Sequence, residues 1–505
     1  MLKTDSLRYA AGLALAALAL APSAAVHAQS GYTITNLGTL GGTMSAGTAI
    51  NASGQVAGTA QTTNDAASRA VRWTGAAITN LGSLGGNSFG YGVNDSGQVT
   101  GYSYTTFSGT LTHAFRYSGA TLTDLGTLGG ASSQGLAINA SGQVAGNAQT
   151  SGAAYHAVRW TGTAATDLGA ATGTYTYGNA INTSGQVAGY AAATGTGVLR
   201  AVVWTGTTAV NLVSMGGTNS KAEGINDSGQ VTGWADRQGS SVAYHAVRWT
   251  GATITDLGTL GGSLSIGFGI NRFGAVVGYS TLANGGQRAF VANGNTMTDL
   301  NALLPAGSGW TLTAAYAIND YGWITGQGNF NGQALAFLLK PIPVTVSGRI
   351  ALEGVTNLRG ISAAAPLGLF HISFRKPGTT TEVYGADVAL TTMAGSAFGT
   401  FAAPNSPFGL YDITIKGRKN LRVLLPNVVI NGPILLPDAT LPAGDANNDN
   451  SVDSTDFGLL IGAFNTSASV PGSGYDPAED FNFDGSVDSS DFGLLIGEFN
   501  NVGAN

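Results

Sequence analysis

The chain has 505 residues, 77 of them Gly and none Cys, and only 10% are charged. This length allows about three domains, and the composition points to turn-rich β structure and excludes a Lys-, Glu- and Leu-rich helical bundle and any disulfide framework. The formal charge of −6 is uneven: from Gly444 onward nine Asp and two Glu face no Lys or Arg. The remainder is dilute and weakly positive, with no basic stripe to grip phosphates, which excludes nucleic acid as an expected partner.

Residues 1–28 carry Lys3 and Arg8, an Ala/Leu run from Ala10 to Ala21, and Val26-His27-Ala28 ahead of Gln29. This pattern reads as a secretory signal peptide cleaved after Ala28, because the apolar run is shorter than the ~20 residues a membrane span needs. No other stretch could cross a bilayer, so the chain is expected to be secreted, extracellular or at the cell surface.

From Gly31 to Pro341 one pattern returns seven times, in segments such as INASGQVAG, VNDSGQVTG and INDYGWITG. Their Asn residues are 51, 94, 139, 182, 226, 271 and 319, a period near 44 that signals a solenoid or a propeller. Each Asn is followed three residues later by Gly and four residues after that by a second Gly, which reads as strand, tight turn, strand. A second hairpin follows from HAVRWTGATITDL and its relatives, giving four strands per repeat, the blade unit of a β-propeller. The N-terminal YTITNLGTLGG lacks a first strand that the last copy, LAFLLKP, supplies, so the two ends are expected to pair and close a seven-bladed ring.

The segments RAVRW, HAFRY, HAVRW, RAVVW and RAFVA, with the LGTLGG runs, resemble the HAF family of extracellular repeats across residues 31–341. The resemblance implies an extracellular repeat protein with no transferable activity. Within the repeats His113, His156 and His245 share one phase, and strand alternation places them on one face, in a structural role. Ala70, Ala114, Ala157, Ala201, Ala246, Ala289 and Ala336 follow in that phase, as close blade packing requires. Asp95, Asp227 and Asp320 read as turn residues, whereas Glu223 and Asp236 break the symmetry and are the best acid/base candidates. There is no Cys nucleophile or phosphate loop, and no catalytic residue is assigned.

Residues 342–442 leave the repeat for new β runs, VTVSGRIAL, GLFHISFRK, ADVALTT, FGTFAAP, LYDITIK and RVLLPNVVI, which suggest a β-sandwich. The stretch GTFAAPNSPFGLYDITIKG resembles the Ig-like, carboxypeptidase-regulatory-like fold and implies a spacer or adhesive module. His371, alone in its strand, is expected to pack.

Residues 444–500 hold two segments, DANNDNSVDSTD and DFNFDGSVDSSD, starting 35 residues apart. They place oxygen donors at loop positions 1, 3, 5, 9 and 12: Asp445, Asn447, Asp449, Asp453 and Asp456, then Asp480, Asn482, Asp484, Asp488 and Asp491. Ser451 and Ser486, at position 7, would offer backbone carbonyls. Calcium takes six to eight hard oxygens, so two such loops in register predict two calcium ions. Gly485 suits the sharp turn at position 6, and Asn450 tolerates it. So many acidic and amide ligands repel one another without metal, so the tail is expected to fold only with calcium.

Position 12 is Asp rather than Glu, and each loop is followed by FGLLIGAFN or FGLLIGEFN; with the duplication, these features resemble a type I dockerin, a small α-helical module with two EF-hand-like calcium loops. The resemblance implies a cohesin-type partner contacted by positions 10 and 11, here Ser454-Thr455 and Ser489-Ser490, in two orientations related by a half turn. A helix-capping role fits the same residues. The mainly β chain therefore reads as a secreted, non-catalytic, calcium-binding interaction protein, the dockerin tethering a repeat propeller to a cohesin-bearing surface or complex. The alternative is a carbohydrate-active enzyme or lectin in polysaccharide catabolism, with Trp234, Trp310 and Trp323 stacking on sugars.

Overall fold

The structure, a computed structural model, describes residues 31–503 except 170–172, 194–196, 240–242, 354–368, 393–397, 408, 418–419, 431–433, 471, 483 and 485. The signal-peptide segment and Gly485 lie outside the described residues.

Each repeat contributes four antiparallel strands; five copies form separate four-stranded sheets, and the fifth and sixth are joined into one eight-stranded sheet by a parallel bridge from Tyr244 to Leu264. In the first copy its strands are Gly41–Ile50, Val56–Thr62, Ser68–Thr74 and Ala77–Asn80. The recurring sequence signals have separate physical causes. The first Gly of each motif turns the chain in the left-handed region, with φ between 71° at Gly322 and 79° at Gly54. The second (58, 101, 146, 189, 233, 278, 326) lies against the neighbouring strand, where a Cβ would come within 1.8–2.1 Å of a carbonyl oxygen.

The copies are welded side by side by three recurring contacts. The Ala of each third strand is 0% exposed. In six copies its N–H donates to a Ser or Thr hydroxyl of the next copy's first strand, as from Ala157 to Thr176 Oγ1 at 2.8 Å. The Trp of the same strand (73, 160, 204, 249) is buried to 1% or less, and Tyr117, Ala292 and Leu339 fill that place elsewhere. Finally, each motif Asn donates from Nδ2 to the carbonyl of the next motif Asn, 51 to 94, 139, 182, 226, 271, 319 and back to 51. The side-chain ring is closed.

The main chain closes it as well. Tyr32–Asn36 pairs antiparallel with Gln333–Pro341, Tyr32 opposite Pro341 and Asn36 opposite Phe337, completing the sheet begun by Trp310–Ile318 and Ile324–Phe330. Ala336 N–H on Ser45 Oγ adds the same seam between side chain and backbone.

After Pro341 two sheets face each other. One contains Val344–Leu352 and Phe398–Ser406; the other contains Glu382–Val388, Phe370–Arg375, Gly409–Lys416 and Val423–Ile430. Alternate residues such as Val346, Ile350, Ile372, Phe374 and Ile413 form their shared core. Two helices, α1 (Ser454–Ala463) and α2 (Ser489–Gly497), end the chain and pack through Leu460, Leu495 and the Phe457–Phe492 ring contact at 5.9 Å.

Candidate metal and docking site

The two Asp-rich loops fold alike, because each side chain that could bind metal also answers a backbone donor of its own loop. Asp449 N–H donates to Asp445 Oδ1 at 3.0 Å, and Asp484 N–H to Asp480 Oδ1 at 3.1 Å. Asn447 and Asn482 accept from the same two N–H groups, each at 2.9 Å. Asp449 and Asp484 accept from Ser451 and Ser486 N–H, at 2.8 and 2.9 Å. Such pairings curl the chain so that alternate side chains face inward.

At the end of each loop the last two acids build a helix. Asp453 and Asp488 are the N-caps, accepting from Thr455 and Ser490 N–H, while Asp456 and Asp491 reach back to the N-cap N–H and complete capping boxes. This corrects the capping alternative for the adjacent hydroxyl residues. Ser454-Thr455 and Ser489-Ser490 do not cap; they stand exposed in the first turns of α1 and α2.

The loops are also cross-tied. Val452 bonds to Asn500 and Asn501 behind α2, and Val487 pairs with Asn465 and Thr466 behind α1. Each loop thus rests on the segment that follows the other helix, which gives the module an approximate twofold arrangement.

Asp445, Asp456, Asp480 and Asp491 are all 0% exposed. Burial pushes the Asp491 carboxyl up to about 6, against the pull of the Asp488, Asn482 and Phe481 N–H groups. Burial likewise raises Asp445, opposed by the Lys416 ammonium, which reaches its Oδ2 from the sandwich. Among the described residues no three acidic or His side chains are drawn together as a formed metal centre. The donor set nevertheless fits a hard divalent cation: its oxygens come from carboxylates, amides and carbonyls, and four carboxylates are withdrawn from water, a condition that a cation relieves.

Residues 443–500 match the family described as the dockerin type I domain. The tail is a type I dockerin. Such domains are generally calcium-binding, and dockerin-bearing proteins are typically extracellular or at the cell surface. Among solved structures, a type II cohesin–X–dockerin complex from Acetivibrio cellulolyticus is similar at 23% identity, over 32% of this chain and 97% of that one, with a TM-score of 0.25. The β-propeller domain of the trilobed protease from Pyrococcus furiosus is similar at 10% identity, over 50% and 80%, with a TM-score of 0.37. A mutant Aleuria aurantia lectin in complex with Fucα1-6GlcNAc is similar at 15% identity, over 54% and 100%, with a TM-score of 0.31. No curated protein matches the chain, and among the described residues no helix is long and apolar enough to cross a membrane.

The dockerin also shows residues that spacing did not reveal. Ile461 and Ile496 are 52% and 48% exposed, and Phe464 and Phe499 are 36% and 37% exposed, at equivalent places behind the two loops. The signal was available in the repeated Leu-Leu-Ile run, since three consecutive apolar residues cannot all face one core.

In the repeat body the singled-out residues scatter. His113, His156 and His245 each hydrogen-bond through Nδ1 to the Asp eleven residues on, at 2.8 to 3.0 Å. Those Asp residues also cap the following Gly N–H. Asp95, Asp227 and Asp320 accept a backbone N–H from the preceding copy. Glu223 bonds to Lys221 at 3.0 Å and to Asn179 at 3.0 Å; burial raises its pKa, and both partners oppose that. Asp236 instead binds Asn219 Nδ2 at 2.9 Å, so the two acids are not brought together. Trp234, Trp310 and Trp323 are engaged by Tyr244, Phe330 and Lys340. In the sandwich, His371 is not a packing residue: it is 43% exposed and bridges Asp387 at 2.7 Å and Glu382 at 2.9 Å.

Proposed function

We propose that this is a secreted, non-catalytic interaction protein whose dockerin tethers a seven-bladed repeat propeller to a cohesin-type module on a surface or complex, with the Ig-like sandwich as spacer. The observation that carries the reading is the duplicated loop and helix in which the first and last acids of each loop, Asp445, Asp456, Asp480 and Asp491, are wholly buried while the two residues after each N-cap Asp are exposed. One calcium ion per loop would be held by Asp445, Asn447, Asp449, Ser451, Asp453 and Asp456, and by Asp480, Asn482, Asp484, Ser486, Asp488 and Asp491. Bound calcium supplies the positive charge that these acids lack. Asp453 and Asp488 fix the helix starts, and so hold Ser454-Thr455 and Ser489-Ser490 at a defined angle beside Ile461 and Ile496. The near identity of the two faces supports docking in either of two orientations.

The seven-bladed form is supported by the seven four-strand copies and the closed Asn ring, and the non-catalytic reading by the engagement of Glu223 and Asp236 with different partners, Lys221 and Asn179 against Asn219. A second reading, a lectin or polysaccharide-degrading body, draws support from half-buried Tyr stacks such as Tyr155–Tyr177–Tyr190, on which sugar faces could lie. Capture of the full chain on an immobilised cohesin, with calcium and with chelator, tests the first reading; calcium-independent or absent capture removes it. Turnover of a polysaccharide panel that is lost on Glu223→Gln would replace it with the enzyme, and glycan binding without turnover would establish the lectin.

A further inference from the structure

The two loops share most of their internal bonds, and they differ in what meets Oδ2 of the first acid. In the second loop Asp480 Oδ2 accepts from the Tyr475 hydroxyl at 2.8 Å, a neutral donor from within the dockerin. In the first loop the equivalent Asp445 Oδ2 accepts from Lys416 Nζ, which comes from the last residue of the sandwich strand Gly409–Lys416. Lys416 is 11% exposed and is fixed by a second bond, to Asn420 O at 2.6 Å. The same sandwich edge clasps the loop elsewhere: Arg422 N–H donates to Asn450 Oδ1 at 2.8 Å, and Leu421 packs in the dockerin core.

A buried ammonium on a buried carboxylate does part of what calcium does. It offsets charge where water cannot, and orients the carboxylate ahead of the ion. The same positive charge also repels an arriving divalent cation. We propose that Lys416 is a resident counter-ion for the first loop, which therefore keeps its form without calcium and binds the ion more weakly than it would without Lys416. The inference rests on the calcium reading of the loops. It exempts the first loop from the calcium-dependent folding expected of the whole tail, and makes that loop answer to the sandwich.

The test uses the full chain as wild type, Lys416→Met and Lys416→Arg. In chelator, hydrogen exchange of wild type should show the Asp449 and Asn450 amides protected. Lys416→Met should lose that protection while the Asp484 amide is unchanged, and Lys416→Arg should retain it. In calorimetric titration Lys416→Met should bind one of its two calcium ions more tightly, on the order of tenfold for removal of one nearby charge. Unchanged amide protection in chelator, or superposable isotherms, overturns the inference while leaving the calcium sites standing. Should Lys416→Met lose the fold of both loops, the wild-type exchange decides alone: Asp449 and Asn450 amides unprotected in chelator reject the counter-ion role. A flat calcium titration of wild type is a different failure, that of the calcium reading itself.

Discussion

Replacing Asn139 by Ala should open the Asn ring at one joint. Asn139 is 5% exposed; its Nδ2 donates to Asn182 O at 3.1 Å and to Gln143 Oε1 at 2.9 Å, and its Oδ1 accepts from Gln143 N–H at 2.9 Å. The Gln143 side chain can turn to water, and the Asn182 carbonyl keeps the Gly185 N–H at 3.0 Å. What is lost is the inter-copy bond and the partner of a buried-side N–H, at about 1 kcal/mol for the bond and about 1–3 kcal/mol for the orphaned donor, hence about 2–4 kcal/mol. Gln143→Ala is the control, since it removes only the side-chain contacts and should cost no more than about 1 kcal/mol. All seven Trp residues lie between 73 and 323, so Trp fluorescence during denaturant unfolding follows the repeat body and not the other modules. A loss below about 0.5 kcal/mol for Asn139→Ala, or one equalled by Gln143→Ala, would refute the ring as a source of stability.

Asp445→Ala and Asp480→Ala should each lower calcium stoichiometry by one in equilibrium dialysis, and at a Kd of about 1 μM in about 1 mM calcium each lost site should forgo about 4 kcal/mol of linkage. Asp substitution at both Ser454 and Thr455, or at both Ser489 and Ser490, should leave cohesin capture measurable by surface plasmon resonance, whereas substitution of both pairs should abolish it; loss from a single pair would exclude two-way docking. Ala246→Leu, at a position 0% exposed between copies, should destabilise the body by about 1–3 kcal/mol in the same fluorescence assay. Burial disfavours the His371 cation, but the bonds to Glu382 and Asp387 outweigh it and hold the pKa above the usual 6.5. A raised folded value means stabilisation that is full below pH 6.5 and lost as pH rises through the folded pKa, worth less than about 1 kcal/mol at this exposure; nuclear magnetic resonance titration of the imidazole checks the direction, and His371→Gln should flatten the dependence.

The repeat, its two hairpins and the loop positions were legible because each is written locally: a turn needs its Gly within three residues of its Asn, and a loop needs its acids at alternate positions. The complementary end strands could be matched for the same reason, as fragments of one repeated pattern. What could not be read were contacts made by the second hand of a residue whose first role was evident. Asn139 announces a turn, but its Nδ2 bond to a carbonyl 43 residues away has no local signature. Lys416 stands 29 residues before the acid it meets and in another module, and His371 finds its partners 11 and 16 residues on, across one strand pair. The hydroxyl residues beside Asp453 and Asp488 were open to a capping role because Ser and Asp have similar cap preferences, and only geometry separates them.

The strand Gln333–Pro341 lies between Ile324–Phe330 and the N-terminal Tyr32–Asn36, and everything beyond Pro341 hangs from its end. A pull delivered from a tethered tail therefore runs along that strand and loads both ladders in shear at once. Pulled instead from its first residues, the chain would give way by unzipping one short ladder from Tyr32 inward. Which end bears tension would then decide whether the ring endures flow or springs open.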